Sequence, residues 1–235
     1  MHATVRHTCI LLLVWSLSTL AAAAPRTVSA TYDILLNGIQ VAVLTERFEA
    51  KEGNYRLTSN STPLGLFALV PKLSVRLQSS GQVNAKGLRP ERFEGRRGKS
   101  EAIELSADFD WATGQLTVMH DGKSEDIALP RGAQDRLSVM YQFMFLAPSS
   151  GQIDVDVTNG RGLDHYSYAA TAGVEQDTAL GRMWTVHLVK QRAAGESENE
   201  IWLAPDHGFV PVRMIIVERD GTRYEQLITK LDLQS

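Results

Sequence analysis

One stretch, residues 135–146, has the pattern of a helix in a chain that otherwise reads as strand and turn. It runs Asp-Arg-Leu-Ser-Val-Met-Tyr-Gln-Phe-Met-Phe-Leu and is stopped by Pro148. Between Leu137 and Leu146 only Ser138 and Gln142 are plainly polar. Four residues apart, they share one helical face, and Asp135 lies on the same stripe. A helix apolar on nearly all sides has to be enclosed. Its large side chains contribute on the order of 10–20 kcal/mol if fully buried, an upper bound. The expectation is a plug or lid against the concave side of a curved sheet.

The rest of the chain supplies that sheet. Residues 31–36 place Tyr32, Ile34 and Leu36 on one face, and Asn37-Gly38 turns the chain into a returning strand over 39–50. Glu52-Gly53, Thr113-Gly114, Asp121-Gly122 and Asp220-Gly221 mark further tight turns. Residues 73–78 and 103–111 alternate apolar with polar, so one face is dry and one wet. Strands at short spacing with almost no helix between them favour an antiparallel meander over βαβ units. So many strands accumulate twist, so the predicted class is mainly β, a curved sheet curling into a half-barrel or open barrel. Residues 63–70, Pro-Leu-Gly-Leu-Phe-Ala-Leu-Val, are apolar and irregular. They are expected as a buried cap on the core, and an exposed version would contact membrane or ligand.

The start of the sequence reads as an export signal. Arg6, an apolar run from Cys9 to Leu20 and the small residues Ala21–Ala24 fit a signal peptide cleaved after Ala23. Residues 24–235 are then expected as one β-rich domain in the periplasm, with no transmembrane segment. Cys9 is the chain's single cysteine, so the mature protein has no disulfide, thiolate metal site or cysteine nucleophile. Loss of residues 1–23 removes Arg6 alone among the charged residues, and the net charge of −3 becomes more acidic. That balance argues against nucleic acid as a partner.

Catalytic signals are missing. Ser138 has no Gly-x-Ser-x-Gly elbow. His120, His165, His187 and His207 form no metal-binding spacing, and no cofactor is expected. Asp135 is expected to cap the helix by accepting from the amide of Ser138. Arg89, Arg92, Arg96, Arg97 and Lys99 interleave with Glu91, Glu94 and Glu101, which fits a solvated strand face with cross-strand pairs. Trp111, Trp184 and Trp202 are expected in core and strand-end packing.

Several phrases occur together in order: Phe109-Asp110-Trp111, Gln134-Asp135-Arg136-Leu137-Ser138 with Tyr141-Gln142, Gly160-Arg161, Leu180-Gly181, Ile201 through Asp206, and Pro211-Val212-Arg213. The set resembles a family of bacterial exported proteins known as domain of unknown function 3108. The resemblance spans nearly all of the mature chain and implies a periplasmic location and a mainly β fold. It implies no activity, so no catalytic residue carries over. In architecture alone, the expected curled sheet around a helix is also similar to periplasmic carriers that shield lipoprotein acyl chains. The reading that follows is a non-enzymatic envelope protein holding an apolar or lipid-like ligand in the concavity. Leu137, Met140, Tyr141 and Met144 would line its wall, and Ser138 and Gln142 would set its polarity. The alternative is a structural or interaction protein with a closed core that docks to an envelope partner through an edge strand or the loop near Leu64–Val70. A cavity of several hundred Å³ would separate the two.

Overall fold

The turn dipeptides act as their chemistry requires. In the computed structural model, which describes residues 25–70 and 73–234, Asn37 and Gly38 take φ of 50° and 83°. This left-handed pair matches the twist of two flanking strands. It joins β1 (Thr27–Leu36) to β2 (Ile39–Lys51). Glu52-Gly53 and Asp121-Gly122 repeat the geometry. The first joins β2 to β3 (Asn54–Pro63), and the second joins β7 (Gln115–His120) to β8 (Lys123–Ala128). Between them lie β4 (Val75–Asn84), β5 (Gly87–Arg97) and β6 (Leu105–Asp110). After β8 come β9 (Gln134–Asp135), the helix α1 (Ser138–Leu146), β10 (Gly151–Thr158) and β11 (Leu163–Thr178). The chain ends with β12 (Gly181–Lys190), β13 (Glu198–Ala204), β14 (Val210–Val217) and β15 (Arg223–Gln234). The expected signal segment lies outside the described residues.

All fifteen strands form one sheet in the order β8-β7-β6-β5-β4-β3-β2-β1-β15-β14-β13-β12-β11-β10-β9. Neighbours are antiparallel except β9 and β10. The sheet does not close, so β8 and β9 are its edges. β8 is short and carries Lys123, Glu125 and Asp126, charges that discourage pairing with another chain. The sheet curls enough to bring the other edge over β5, where the Gln134 side-chain amide donates to the Leu88 carbonyl at 2.9 Å. The open barrel with one central helix therefore matches the class expected from strand spacing.

The helix fills part of this curl. On one side Leu137, Tyr141 and Met144 pack with Phe48, Tyr55, Leu57 and Phe93. On the other, Val139 and Phe143 pack with Val155, Val157, Leu188 and Ile201. Tyr141 is fully buried and stacks on Phe48 with ring centroids 5.4 Å apart.

β11 reaches Thr178 by absorbing Gly173, at φ 74°, in a register shift against β12. Three details differ from expectation. α1 begins at Ser138 rather than Asp135, because the backbone of Asp135 pairs with Thr158 as a parallel bridge. The apolar segment after β3 does not cap the core: Gly65–Leu69 form a 3-10 turn with Leu66 83% and Leu69 76% exposed. Trp184 also stands outside the packing expected of it, 57% exposed on β12, whereas Trp202 is buried against His187.

Candidate functional site

The polar stripe of the helix serves the fold. Asp135 Oδ1 accepts from the amides of Leu137 and Ser138 at 2.9 and 2.8 Å. The hydroxyl of Ser138 in turn accepts from the Asp135 amide at 3.0 Å, a reciprocal cap. Asp135 Oδ2 accepts from Ser79 at 2.5 Å, and the Tyr55 hydroxyl bonds to Ser79 at 2.9 Å. Burial pushes the Asp135 carboxyl up, and these accepted bonds oppose the shift. Gln142 accepts from the Leu88 amide at 2.7 Å and donates to the Lys86 carbonyl at 2.8 Å, which ties the helix to the β4–β5 turn. Gly87 is required there: a Cβ would sit 2.3 Å from Gln142 Oε1, and its φ is 102°.

Between the N-terminal turn of α1 and the inner faces of β1–β5, β14 and β15 lies a cavity of about 630 Å³. Its apolar wall includes Ile34, Leu44, Val75, Leu77, Met214 and Ile216, and Ser59, Ser61, Tyr224 and Gln226 are among its polar lining. The helix contributes Leu137 and Met140. Of the six residues predicted to form a site, these two line the cavity. Tyr141 does not line it, but its hydroxyl donates to Oε2 of the lining residue Glu46 at 3.1 Å. Ser138 and Gln142 bond to backbone as described, and Met144 lies in the packed cluster beside Phe48.

Glu46 and Arg136 are charged residues of the lining to which the sequence reading gives no role. Glu46 sits on the inner face of β2 between Leu44 and Phe48. A carboxylate at that register in an alternating strand is the one signal that marks it. It accepts from Ser59 at 3.0 Å as well as from Tyr141. Burial pushes its carboxyl up, opposed by those bonds and by the charge of Arg136. Arg136 is accessible to water through the cavity, yet burial among protein groups pulls its guanidinium below the usual arginine value. It stays charged. Its amide donates to the Thr158 carbonyl at 2.9 Å, which fixes its backbone at the sheet edge. Among the described residues no carboxylate lies within ion-pair distance of its side chain. Arg97 also lines the cavity and pairs with Glu104 at 3.3 Å.

The cavity reaches one end of the sheet. The antiparallel order puts the β1–β2, β3–β4, β5–β6 and β14–β15 connections at that end. Ile34, Ser61, Val75, Arg97 and Ile216 lie beside them. Ile39, Leu66, Leu69, Val70 and Leu73 make this rim apolar and exposed.

The other candidates read as surface chemistry. Arg92 pairs across strands with Asp108 of β6, as expected of a solvated strand face, whereas the pairs of Arg92 and Arg96 with Glu94 run along β5 itself. His165 meets Asp156 at 2.9 Å, and His187 meets Glu200 at 2.7 Å. Among the described residues no cluster of metal-ligating side chains occurs. A second depression, about 600 Å³ around Arg89, Phe109 and Trp111, is a shallow feature away from the helix. Among the described residues no helix is long and apolar enough to cross a membrane.

No curated protein matches the chain. A solved structure of a β-barrel-like protein of domain of unknown function DUF1849 from Brucella abortus aligns over 90% of this chain and 99% of its own. The identity is 12% and the TM-score 0.49. A domain from Vibrio parahaemolyticus, named for outer membrane lipoprotein sorting, aligns over 89% of this chain and 86% of its own, at 9% identity and a TM-score of 0.26. At these TM-scores neither likeness bears on function. The family described as "Protein of unknown function (DUF3108)" matches residues 31–228, from the first strand to the last and through the helix and the cavity lining, and this chain belongs to that family.

Proposed function

We propose that this is a non-enzymatic protein of the bacterial periplasm that holds an apolar or lipid-like ligand in the cavity beside α1. The observation that carries the reading is the cavity itself. Its volume of about 630 Å³ falls in the range of small-molecule sites. It persists in a barrel whose remaining interior is packed around Phe48, Phe93 and Phe143. Half of its lining residues are apolar, among them two methionines, Met140 and Met214, whose flexible side chains suit an irregular apolar guest. The signal-like start of the sequence supports export. Native mass spectrometry of the protein prepared from periplasm, followed by organic extraction, tests the reading. A mass above that of the chain, with the excess extracting as a lipid, is the expected result. A bare mass, together with failure to take up a fatty acid added in excess, sinks it.

The exposed rim favours a second reading, an interaction protein that docks to an envelope partner through the segment after β3. Leu66 and Leu69 are more exposed than a monomer needs such residues to be. Exchange of both for serine removes crosslinks to a partner if this reading holds. Unchanged crosslinks exclude that surface.

A further inference from the structure

The cavity lining combines apolar and polar side chains, and its charge is uneven. Arg97 and Arg136 both line it. Arg97 has its carboxylate in Glu104. Arg136 has neither an ion pair nor a side-chain hydrogen bond among the described residues, although a guanidinium offers five donors. Elsewhere inward or half-buried arginines are matched: Arg213 with Glu225, Arg96 with Glu94, Arg76 with Glu101. The acids whose charges act on Arg136 are Asp135 and Glu46, and the oxygens of both are already bonded, those of Asp135 to Ser79 and the amides of Leu137 and Ser138, those of Glu46 to Ser59 and Tyr141. The two glutamates at the opposite border do not supply the match: Glu225 is held by Arg213 and Arg223, and Glu218 borders the β14–β15 turn. A water-accessible guanidinium with open donors at the border of an apolar surface fits the planar face of a carboxylate or phosphate, which it can bind through two parallel bonds.

We propose that Arg136, with Arg97 beside it, anchors the anionic head of a single-chain amphiphile, a long-chain carboxylate or alkyl phosphate. The chain of that ligand runs along Ile34, Leu44, Leu77, Met140 and Met214. The proposal rests on the apolar-ligand reading and adds the chemistry of the guest's head. A head at the two arginines with the chain along these apolar side chains satisfies the guanidinium and leaves hydrocarbon against hydrocarbon. Burial pushes the Glu46 carboxyl toward its neutral form, which lessens its repulsion of an anion at Arg136.

The test uses delipidated full-length mature protein and fluorescence titration with cis-parinaric acid and its methyl ester, at a pH where the acid is ionised. The acid is expected to bind at least tenfold more tightly than the ester. Arg136→Gln is expected to lower the affinity of the acid by roughly tenfold to a hundredfold, the range for a lost charge-assisted bond. The ester should change much less. Arg136→Lys keeps the charge without the fork and should fall between. Displacement of the probe by dodecanoate and by dodecyl phosphate, with dodecanol as the neutral control, identifies the preferred head. Equal binding of acid and ester to the unmodified protein overturns the anchor, and so does an acid preference that survives Arg136→Gln. Displacement no better with either anion than with dodecanol has the same meaning. If neither parinaric probe binds, the apolar-ligand reading fails and the anchor falls with it. If the ester binds well and the acid no better, the anchor alone fails. The comparison on unmodified protein decides the matter even where Arg136→Gln does not fold.

Discussion

At Phe48 the interior of the barrel is filled, and at Leu44, on the same face of the same strand, it is open. Phe48 meets Tyr141 ring to ring, while Leu44 faces a cavity of about 630 Å³. The polar groups differ in the same way. Beside the packed side of α1, Asp135 accepts three bonds and Gln142 makes two to backbone. At the open side, Arg136 makes none with its side chain among the described residues. A polar group enclosed by packing has to be satisfied by the protein, since water does not reach it. One that faces a void can wait for a guest. The helix stripe that looks most like a binding site in the sequence is therefore architectural, and Arg136 is the lining charge whose side chain has no bond among the described residues.

The contrast can be broken most severely at Tyr141. Tyr141→Asp places a carboxylate in the filled region at a cost of several kcal/mol, and circular dichroism should show an unfolded chain. A variant that melts like the parent would mean that α1 is not packed as described. Phe143→Ala and Met140→Ala compare the two sides of the helix directly. The first leaves a closed void and should cost about 3–5 kcal/mol in urea denaturation. The second faces the cavity and should cost about 1 kcal/mol or less, because no enclosed space is created. Similar losses for both would erase the distinction. Asp135→Ala removes the cap and strands the Ser79 hydroxyl, for about 1–3 kcal/mol by the same assay. Asp135→Asn, which keeps an acceptor, should recover part of that loss.

The smallest effect is at Glu46, and its sign follows from burial. Its carboxyl titrates higher in the folded protein than in the unfolded chain, whose value is about 4.3. Below that pH both states are protonated and the group costs nothing. As pH rises through the unfolded value the unfolded chain ionises first, and stability is lost until the folded carboxyl ionises too. Glu46→Gln should therefore match the parent near pH 4 and exceed it at pH 7 in urea midpoint. A gain of equal size at both pH values would show that the difference is not ionisation.

Much of the fold was legible in residues 31–128, because Asn37-Gly38 and Asp121-Gly122 announce their turns locally and alternation marks the buried face. The pairing of Gln134 and Asp135 with β10 was not legible. Two residues show no periodicity, and their partners, Val157 and Thr158, are remote in sequence. The exposed segment after β3 defeated the usual inference from apolar composition to burial. Whether Leu66 is covered depends on neighbouring loops rather than on its own segment. The cavity was expected in kind but not in lining. Leu137 and Met140 were found from the helix, whereas the walls come from seven strands whose contact depends on the curl of the sheet.

The order of strands has a kinetic consequence. β1 and β15 lie side by side at the middle of the sheet, with Thr27 opposite Gln234, so two runs of neighbouring strands meet at a seam between the earliest and latest segments. Along each run contacts are local, but the seam closes a loop of nearly the whole chain, which raises contact order and slows folding. A circular permutant that joined β15 to β1 and opened the chain between β8 and β9 would turn that seam into a hairpin. Its strands would then follow one another in sequence as they do in space, and the barrel would assemble from neighbours alone.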